Sequence, residues 1–237
     1  MADAMEEHRG QTLAIMARTT GKTIREGDPE VSEAIDFARY YAHCTHAIEA
    51  GIQRGLTFTP HGVVLVASPW NFPYAIPAGG VCAALAAGNA VLLKPAPEVR
   101  AVGLELAQQL WQAGVPRDLL QFVATPDDEV GQRLVTHEHV DTVVLTGAYE
   151  TAQMFRSWKP GIRVLAETSG KDAMVITAAA DEDAAIKDLV RSAFGHAGQK
   201  CSAASLAIVE AAVYDEPGFL PRLAAAVRSV RVGPATD

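Results

Sequence analysis

Cysteine is scarce in this chain. The 237 residues hold three, Cys44, Cys82 and Cys201, with no paired spacing. An odd, scattered set excludes a fully paired secreted disulfide framework and points to a reducing, cytoplasmic setting. Also missing is any run of roughly 18 apolar residues, the length a membrane-spanning helix needs. The longest candidate, Tyr74 to Ala87, is shorter and contains Pro77 and two glycines. No basic cluster offsets the net charge of −8, which excludes a general nucleic-acid binder. The N-terminus, MADAMEEHRG, carries acids where a signal peptide carries positive charge. The histidines include the pair His137 and His139, but without a cysteine partner or metal-site spacing, and on a helix the two would face apart. No metal is expected. The dinucleotide fingerprint Gly-x-Gly-x-x-Gly is absent too.

What is present is ordinary for an α/β protein: 49% hydrophobic and 20% charged residues. The first fifty residues read as two helices. One carries Met5, Leu13 and Met16 and is ended by Gly21; the other begins after Pro29 and carries Val31, Ala34, Ile35 and Phe37. Short apolar runs then alternate with helical stretches. Strands are expected at 63–67, 90–93, 121–124, 142–145 and 164–166, and helices at 75–87, 98–112, 129–135 and 150–158. This rhythm predicts a Rossmann-like parallel sheet with helices on both faces, and such sheets bind ligands beyond their carboxyl ends. The pattern restarts after Gly170. Strands are expected at 173–176 and 206–209, a helix capped by Asp181 at 181–194, another at 218–230, and a final strand and turn over 230–237.

Four segments fall at strand ends or helix–strand junctions: Ser68-Pro-Trp-Asn-Phe-Pro73, Leu92-Leu-Lys-Pro95, Glu167-Thr-Ser-Gly-Lys171 and Gly198-Gln-Lys-Cys-Ser202. Taken singly, their residues have bland readings. Most free cysteines are small buried hydrophobes, although the setting of Cys201, Gly195-His-Ala-Gly-Gln-Lys-Cys-Ser, is small and polar rather than core-like. Asn71 alone would be a turn former beside Pro73, Glu167 a solvated carboxylate and Lys94 a strand-end surface lysine. Cys44 and Cys82 read as inert core residues.

In order and spacing, with Glu167 34 positions before Cys201 and Asn71 23 before Lys94, the four segments together resemble the aldehyde dehydrogenase superfamily over nearly the whole chain. The resemblance implies that Cys201 is the nucleophile, whose thiolate adds to an aldehyde carbon. Lys200 either lowers its pKa or points away. Asn71, with the backbone N–H of Cys201, would hydrogen-bond the developing oxyanion. Glu167 would be the general base for thioester hydrolysis, in a motif where Ser169 replaces the first of two usual glycines. Lys94 would approach the adenosine ribose of the dinucleotide. The family's nearby acid is displaced from Pro97 to Glu98, so NAD is expected and NADP stays open. Thr146, Gly147 and Ala148, the last in place of a serine, would face the pyrophosphate at a helix start. Ser68 and Trp70 would border the cofactor cleft, Trp70 either through its backbone or by packing the core. Phe72 and Ser202 would lie on the substrate side.

Three stretches, Glu33 to Ala42, Leu165 to Gly170 and Ser192 to Ser202, look like the glutamate-semialdehyde (pyrroline-5-carboxylate) dehydrogenases of proline catabolism, which occur alone or as modules of a bifunctional proline-oxidising protein. That resemblance implies a small-molecule aldehyde substrate bearing an amino-acid head group, and a homo-oligomer at full length. It divides the chain into a dinucleotide-binding domain, 1–168, with the N-terminal helices, and the first part of a catalytic domain, 169–237. The family's Glu-x-Phe-Gly-Pro motif does not occur. The chain is therefore expected to be part of a longer enzyme, incomplete at both ends.

Overall fold

A computed structural model of the chain describes residues 1–126 and 128–235. They fall into two compact units, Met1–Thr168 and Ser169–Ala235. The first opens with helices α1 (Ala2–Glu7), α2 (Arg9–Thr20) and α3 (Ile24–Gln53). Gly21 ends α2 in a left-handed conformation at φ 69°, where a side chain would be strained. The expected start of the next helix after Pro29 is corrected: α3 begins at Ile24 and carries Pro29 inside it. Thr23 makes this possible, because its carbonyl accepts the amides of Glu26 and Gly27 at 3.1 and 2.8 Å and its hydroxyl donates to Glu26 at 3.2 Å. The hydrogen bond the proline ring forgoes is outweighed by burial of Val31, Ala34, Ile35 and Ala38, each worth on the order of a kcal/mol or more. The helix also runs past the first fifty residues, ending at Gln53.

Strands and helices then alternate: β1 (Val63–Ser68), α4 (Ala75–Ala86), β2 (Ala90–Pro95), α5 (Arg100–Gln112), β3 (Leu120–Phe122), α6 (Glu129–Thr136), β4 (Thr142–Gly147), α7 (Tyr149–Trp158) and β5 (Arg163–Thr168). The five strands form one sheet in the order β3-β2-β1-β4-β5, and every neighbouring pair is parallel. Side chains alternate between its faces. Val64, Val66, Val91 and Leu93 pack with α1–α5, while Leu65, Ala67, Val143 and Leu145 pack with Val135, Ala152 and Phe155 of α6 and α7. The expected α/β fold, a parallel sheet with helices on both faces, is what the chain adopts. Helix α4 reaches β1 closely enough that a Cβ at Gly80 would lie 2.9 Å from Val66 Cγ1.

The second unit is a βαβ turn: β6 (Ala173–Ile176), α8 (Glu182–Phe194) and β7 (Leu206–Val209), followed by α9 (Ala211–Tyr214) and α10 (Phe219–Arg228). Strands β6 and β7 pair in parallel. Asp181 caps α8 as expected, its side chain accepting the Ala184 amide at 2.9 Å. Ile176, Ile186, Leu189, Val213 and Phe219 form its core. The short helix α9 was not expected, and the strand expected over 230–237 is absent from the described part, 230–235. Val232 there is 95% exposed, so nothing pairs with or packs on it. Thr236 and Asp237 lie outside the described residues.

Candidate active site at the carboxyl edge of the sheet

The strand order places a reversal between β1 and β4: from β1 the chain winds outward through β2 and β3, then returns to add β4 and β5 on the other side. Open parallel sheets bind ligands at such a switch point, beyond the carboxyl ends of the strands. The segments leaving β1 and β4 flank it. The first is Pro69-Trp-Asn-Phe-Pro-Tyr74, and the second is Ala148, which caps α7 in an extended conformation. The amides that open a helix lack intrahelical acceptors and carry the positive end of its dipole, so the start of α7 suits an anionic group.

Register fixes the remaining first-unit candidates. Lys94 pairs with Ala67 and Pro95 with Ser68; Glu167 pairs with Thr146 and Thr168 with Gly147. By alternation, Ser68 follows Val64 and Val66 onto the α4 face, and Thr146 follows Val144 there, carrying Glu167 with it. Lys94 follows Leu92 onto the opposite face, toward α6 and α7. Acid and lysine thus stand at the same edge on opposite faces of one sheet. Ser68 is 7% exposed, and its hydroxyl has no hydrogen-bond partner among the described residues; the buried hydroxyl of Thr125, just past β3, has none either. Buried unpaired hydroxyls are costly and uncommon. Two of them along this edge, with a helix start and a lysine, fit a polar, phosphate-bearing dinucleotide.

Trp70 is 41% exposed, which is not the burial of a core residue. Asn71 and Phe72 are half-buried, and the Lys22 ammonium lies 3.8 Å from the centroid of the Phe72 ring. Glu167 is exposed, on a strand whose Leu165 is 54% exposed. Motif reading alone missed Lys22, Glu30, Tyr74 and Gln109. Glu30 accepts the backbone amides of Tyr74 and Ala75 at 2.8 and 3.2 Å and pairs with Lys22. The Tyr74 hydroxyl donates to Gln109. The available signal was a glutamate set in the apolar stripe of α3.

Cys201 and Ser202 belong to the second unit, in the turn after α8. Cys201 is exposed, and the turn is closed by the Ala203 amide donating to the Lys200 carbonyl at 3.1 Å. Just before it, His196 and Ala197 both hold left-handed backbone, at φ 52° and 55°. Consecutive non-glycine residues there are strained and cluster at functional sites. Of the other thiols, Cys82 is buried, and burial pushes it up to about 11, the inert core residue expected. Cys44 is only half-buried, a correction to its core reading, because the second half of α3 is largely solvent-exposed. His137 and His139 sit in a loop with ring centroids 5.1 Å apart. Among the described residues no group of His, Cys, Asp and Glu could hold a metal ion, and no helix is long and apolar enough to cross a membrane.

The family model for the aldehyde dehydrogenase family matches residues 1–237. The chain belongs to the aldehyde dehydrogenase family. It is 38% identical over 252 residues to a 1-pyrroline-5-carboxylate dehydrogenase of Geobacillus sp. (strain WCH70), covering 100% of this chain and 48% of the relative. Among solved structures, proline utilization A (PutA) from Corynebacterium freiburgense matches with a TM-score of 0.91 and 51% identity, covering 100% of this chain and 24% of that one. A mutant 1-pyrroline-5-carboxylate dehydrogenase from Thermus thermophilus matches with a TM-score of 0.90 and 32% identity, over 99% of this chain and 48% of that one. This aldehyde dehydrogenase chain therefore spans about half the length of the curated relatives it matches.

Proposed function

We propose that the chain carries out, or forms part of an enzyme that carries out, the NAD-dependent oxidation of L-glutamate γ-semialdehyde to L-glutamate. The observation that supports it is the placement of Ser68, Asn71, Lys94, Thr146–Ala148 and Glu167 at one carboxyl edge of the sheet, in a chain of which 99% or more matches 1-pyrroline-5-carboxylate dehydrogenases. In this reading the first unit binds the dinucleotide and the second supplies the nucleophile. Lys94 approaches the adenosine ribose, Thr146, Gly147 and Ala148 face the pyrophosphate, and Ser68 and Trp70 border the cleft.

The Cys201 thiolate adds to the aldehyde carbon, forming a C–S bond while the carbonyl oxygen takes the negative charge. The Asn71 side-chain amide donates to that oxygen, a contact stronger in the transition state than in the bound aldehyde. A bound nicotinamide supplies the acceptor for the hydride lost from that carbon. What remains on Cys201 is a thioester. Glu167 takes a proton from water, the hydroxyl oxygen adds to the thioester carbon, and the C–S bond breaks to release the carboxylic acid and the thiolate. Phe72 and Ser202 border the substrate side.

The test is NADH formation by the purified chain with NAD and a panel of aldehydes, beside Cys201→Ala. Turnover by the parent, strongest with glutamate semialdehyde and lost in the variant, is expected. Equal turnover in both would overturn the assignment of the nucleophile. A preference for another semialdehyde would overturn the substrate alone. If neither forms NADH, titration with NAD decides whether dinucleotide binding is the activity this chain carries.

A further inference from the structure

Glu30 is a carboxylate in an apolar setting: 2% exposed, beside Val31, Ala34 and Ile35 on the buried stripe of α3. Left unpaired there it would be very costly. Three donors satisfy it. One is the ammonium of Lys22, itself 8% exposed. The others are the backbone amides of Tyr74, at 2.8 Å, and Ala75, at 3.2 Å. Those amides open α4 and have no intrahelical acceptor, so a residue from α3 caps a helix 44 positions away in sequence. The same Lys22 ammonium lies 3.8 Å from the Phe72 ring centroid. One buried ion pair therefore touches the turn after β1 on both sides of Pro73, and Asn71 is the residue next to Phe72. A second tether holds the same turn: the Tyr74 hydroxyl donates to Gln109 of α5.

Apolar residues of equal volume would give comparable stability in place of a buried ion pair. What they cannot supply is a directional hold on two backbone amides. We infer that Glu30, balanced by Lys22, is a positioning residue that fixes the turn carrying Asn71; its kinetic consequence rests on Asn71 being the oxyanion donor proposed above.

Two charge-balanced double variants of the full 237-residue chain separate this role from simple stability. Lys22→Met with Glu30→Gln keeps an acceptor oxygen for the two amides. Lys22→Met with Glu30→Leu removes it. Both are first checked for native circular dichroism. Hydrogen exchange at Tyr74 and Ala75 is then measured with the ¹H–¹⁵N signal of the Asn71 side-chain amide, assigned by its loss in Asn71→Ala, and the kinetics of NADH formation. In the Leu pair, exchange at the two amides is expected to rise roughly tenfold or more over the rest of the first unit. The Asn71 signal moves, and kcat falls by about tenfold or more with KM within about twofold. The Gln pair rescues all three. Parent-like exchange and an unmoved Asn71 signal in the Leu pair, or exchange raised evenly across the unit, would overturn the inference. Undiminished turnover in Asn71→Ala would overturn the oxyanion reading alone, leaving exchange and the Asn71 signal to decide the positioning role.

Discussion

Replacing Tyr74 by phenylalanine removes one oxygen from the interior of the first unit. The ring is fully buried, and its hydroxyl donates to Gln109 Oε1. Burial holds that hydroxyl well above the usual tyrosine range, so it is a neutral donor at every working pH. Gln109 is 1% exposed, and its amide nitrogen is already committed to Thr12 at 2.9 Å and Glu105 at 2.8 Å. It cannot turn to satisfy its oxygen without breaking those bonds. The variant keeps the apolar area of the ring and strands one acceptor, which costs about 1–3 kcal/mol. In a unit of this size that lowers the melting temperature by roughly 2–4 °C per kcal/mol. Trp70, Trp111 and Trp158 all lie in the first unit. Urea unfolding followed by tryptophan fluorescence therefore reports that unit without interference from the second. A cycle with Gln109→Leu should give a coupling energy of about 1–2 kcal/mol. A Tyr74→Phe variant within about 0.5 kcal/mol of the parent, the range of a surface change, would show that the Tyr74–Gln109 hydrogen bond contributes no such stability.

Gly80→Ala sets two effects against each other: a helix interior gains about 0.5–1 kcal/mol from alanine, but the new Cβ would lie 2.9 Å from Val66 Cγ1, an overpacking cost of about 1–3 kcal/mol. A net loss of roughly 1–2 kcal/mol in urea unfolding is expected. Cys82 gives a pH dependence. Its thiol is raised from 9.0 to about 11 in the folded chain, so the unfolded chain loses that proton first and stability falls as pH rises between those values, by on the order of 2–3 kcal/mol. The alkaline slope of the urea midpoint should flatten in Cys82→Ala; an unchanged slope counts against burial as its source. Asp181→Ala removes the cap of α8 at about 1 kcal/mol, read as roughly fivefold faster amide exchange at Ala184 and its neighbours, while exchange in the first unit stays as it was.

Local signals carried most of the fold. The apolar runs 63–67, 90–93 and 142–145 are set off by nearby glycine, asparagine, aspartate or proline and recur at a rhythm that admits few topologies, so their parallel pairing was legible. The start of α3 was not. Pro29 reads as a break, and what overrides it is a tertiary effect, burial of the stripe from Val31 to Ala38 together with the cap at Thr23. The strand expected at the end of the chain does not form in the described part; Val232 at 95% exposure has no neighbouring strand to pair with there. Of the candidate site, the placement of its segments at strand ends was readable from the apolar runs, whereas the register that sets Lys94 beside Ala67 and Glu167 beside Thr146 came only with the structure. The buried tether of Lys22 and Glu30 could not, since it depends on which face of α3 meets the start of α4. The fate of Trp70, exposed rather than packed, turned on the same missing information.

As the nucleophile proposed above, Cys201 would carry a covalent acyl intermediate during turnover. The chain is incubated with NAD and glutamate semialdehyde, quenched in acid, digested and mapped by mass spectrometry. An acyl adduct is expected on the peptide containing Cys201. It should be absent in Cys201→Ala and more abundant in Glu167→Gln, where hydrolysis is slowed. No adduct on that peptide in the parent, or one carried by the peptides of Cys44 or Cys82 and undiminished in Cys201→Ala, would contradict it.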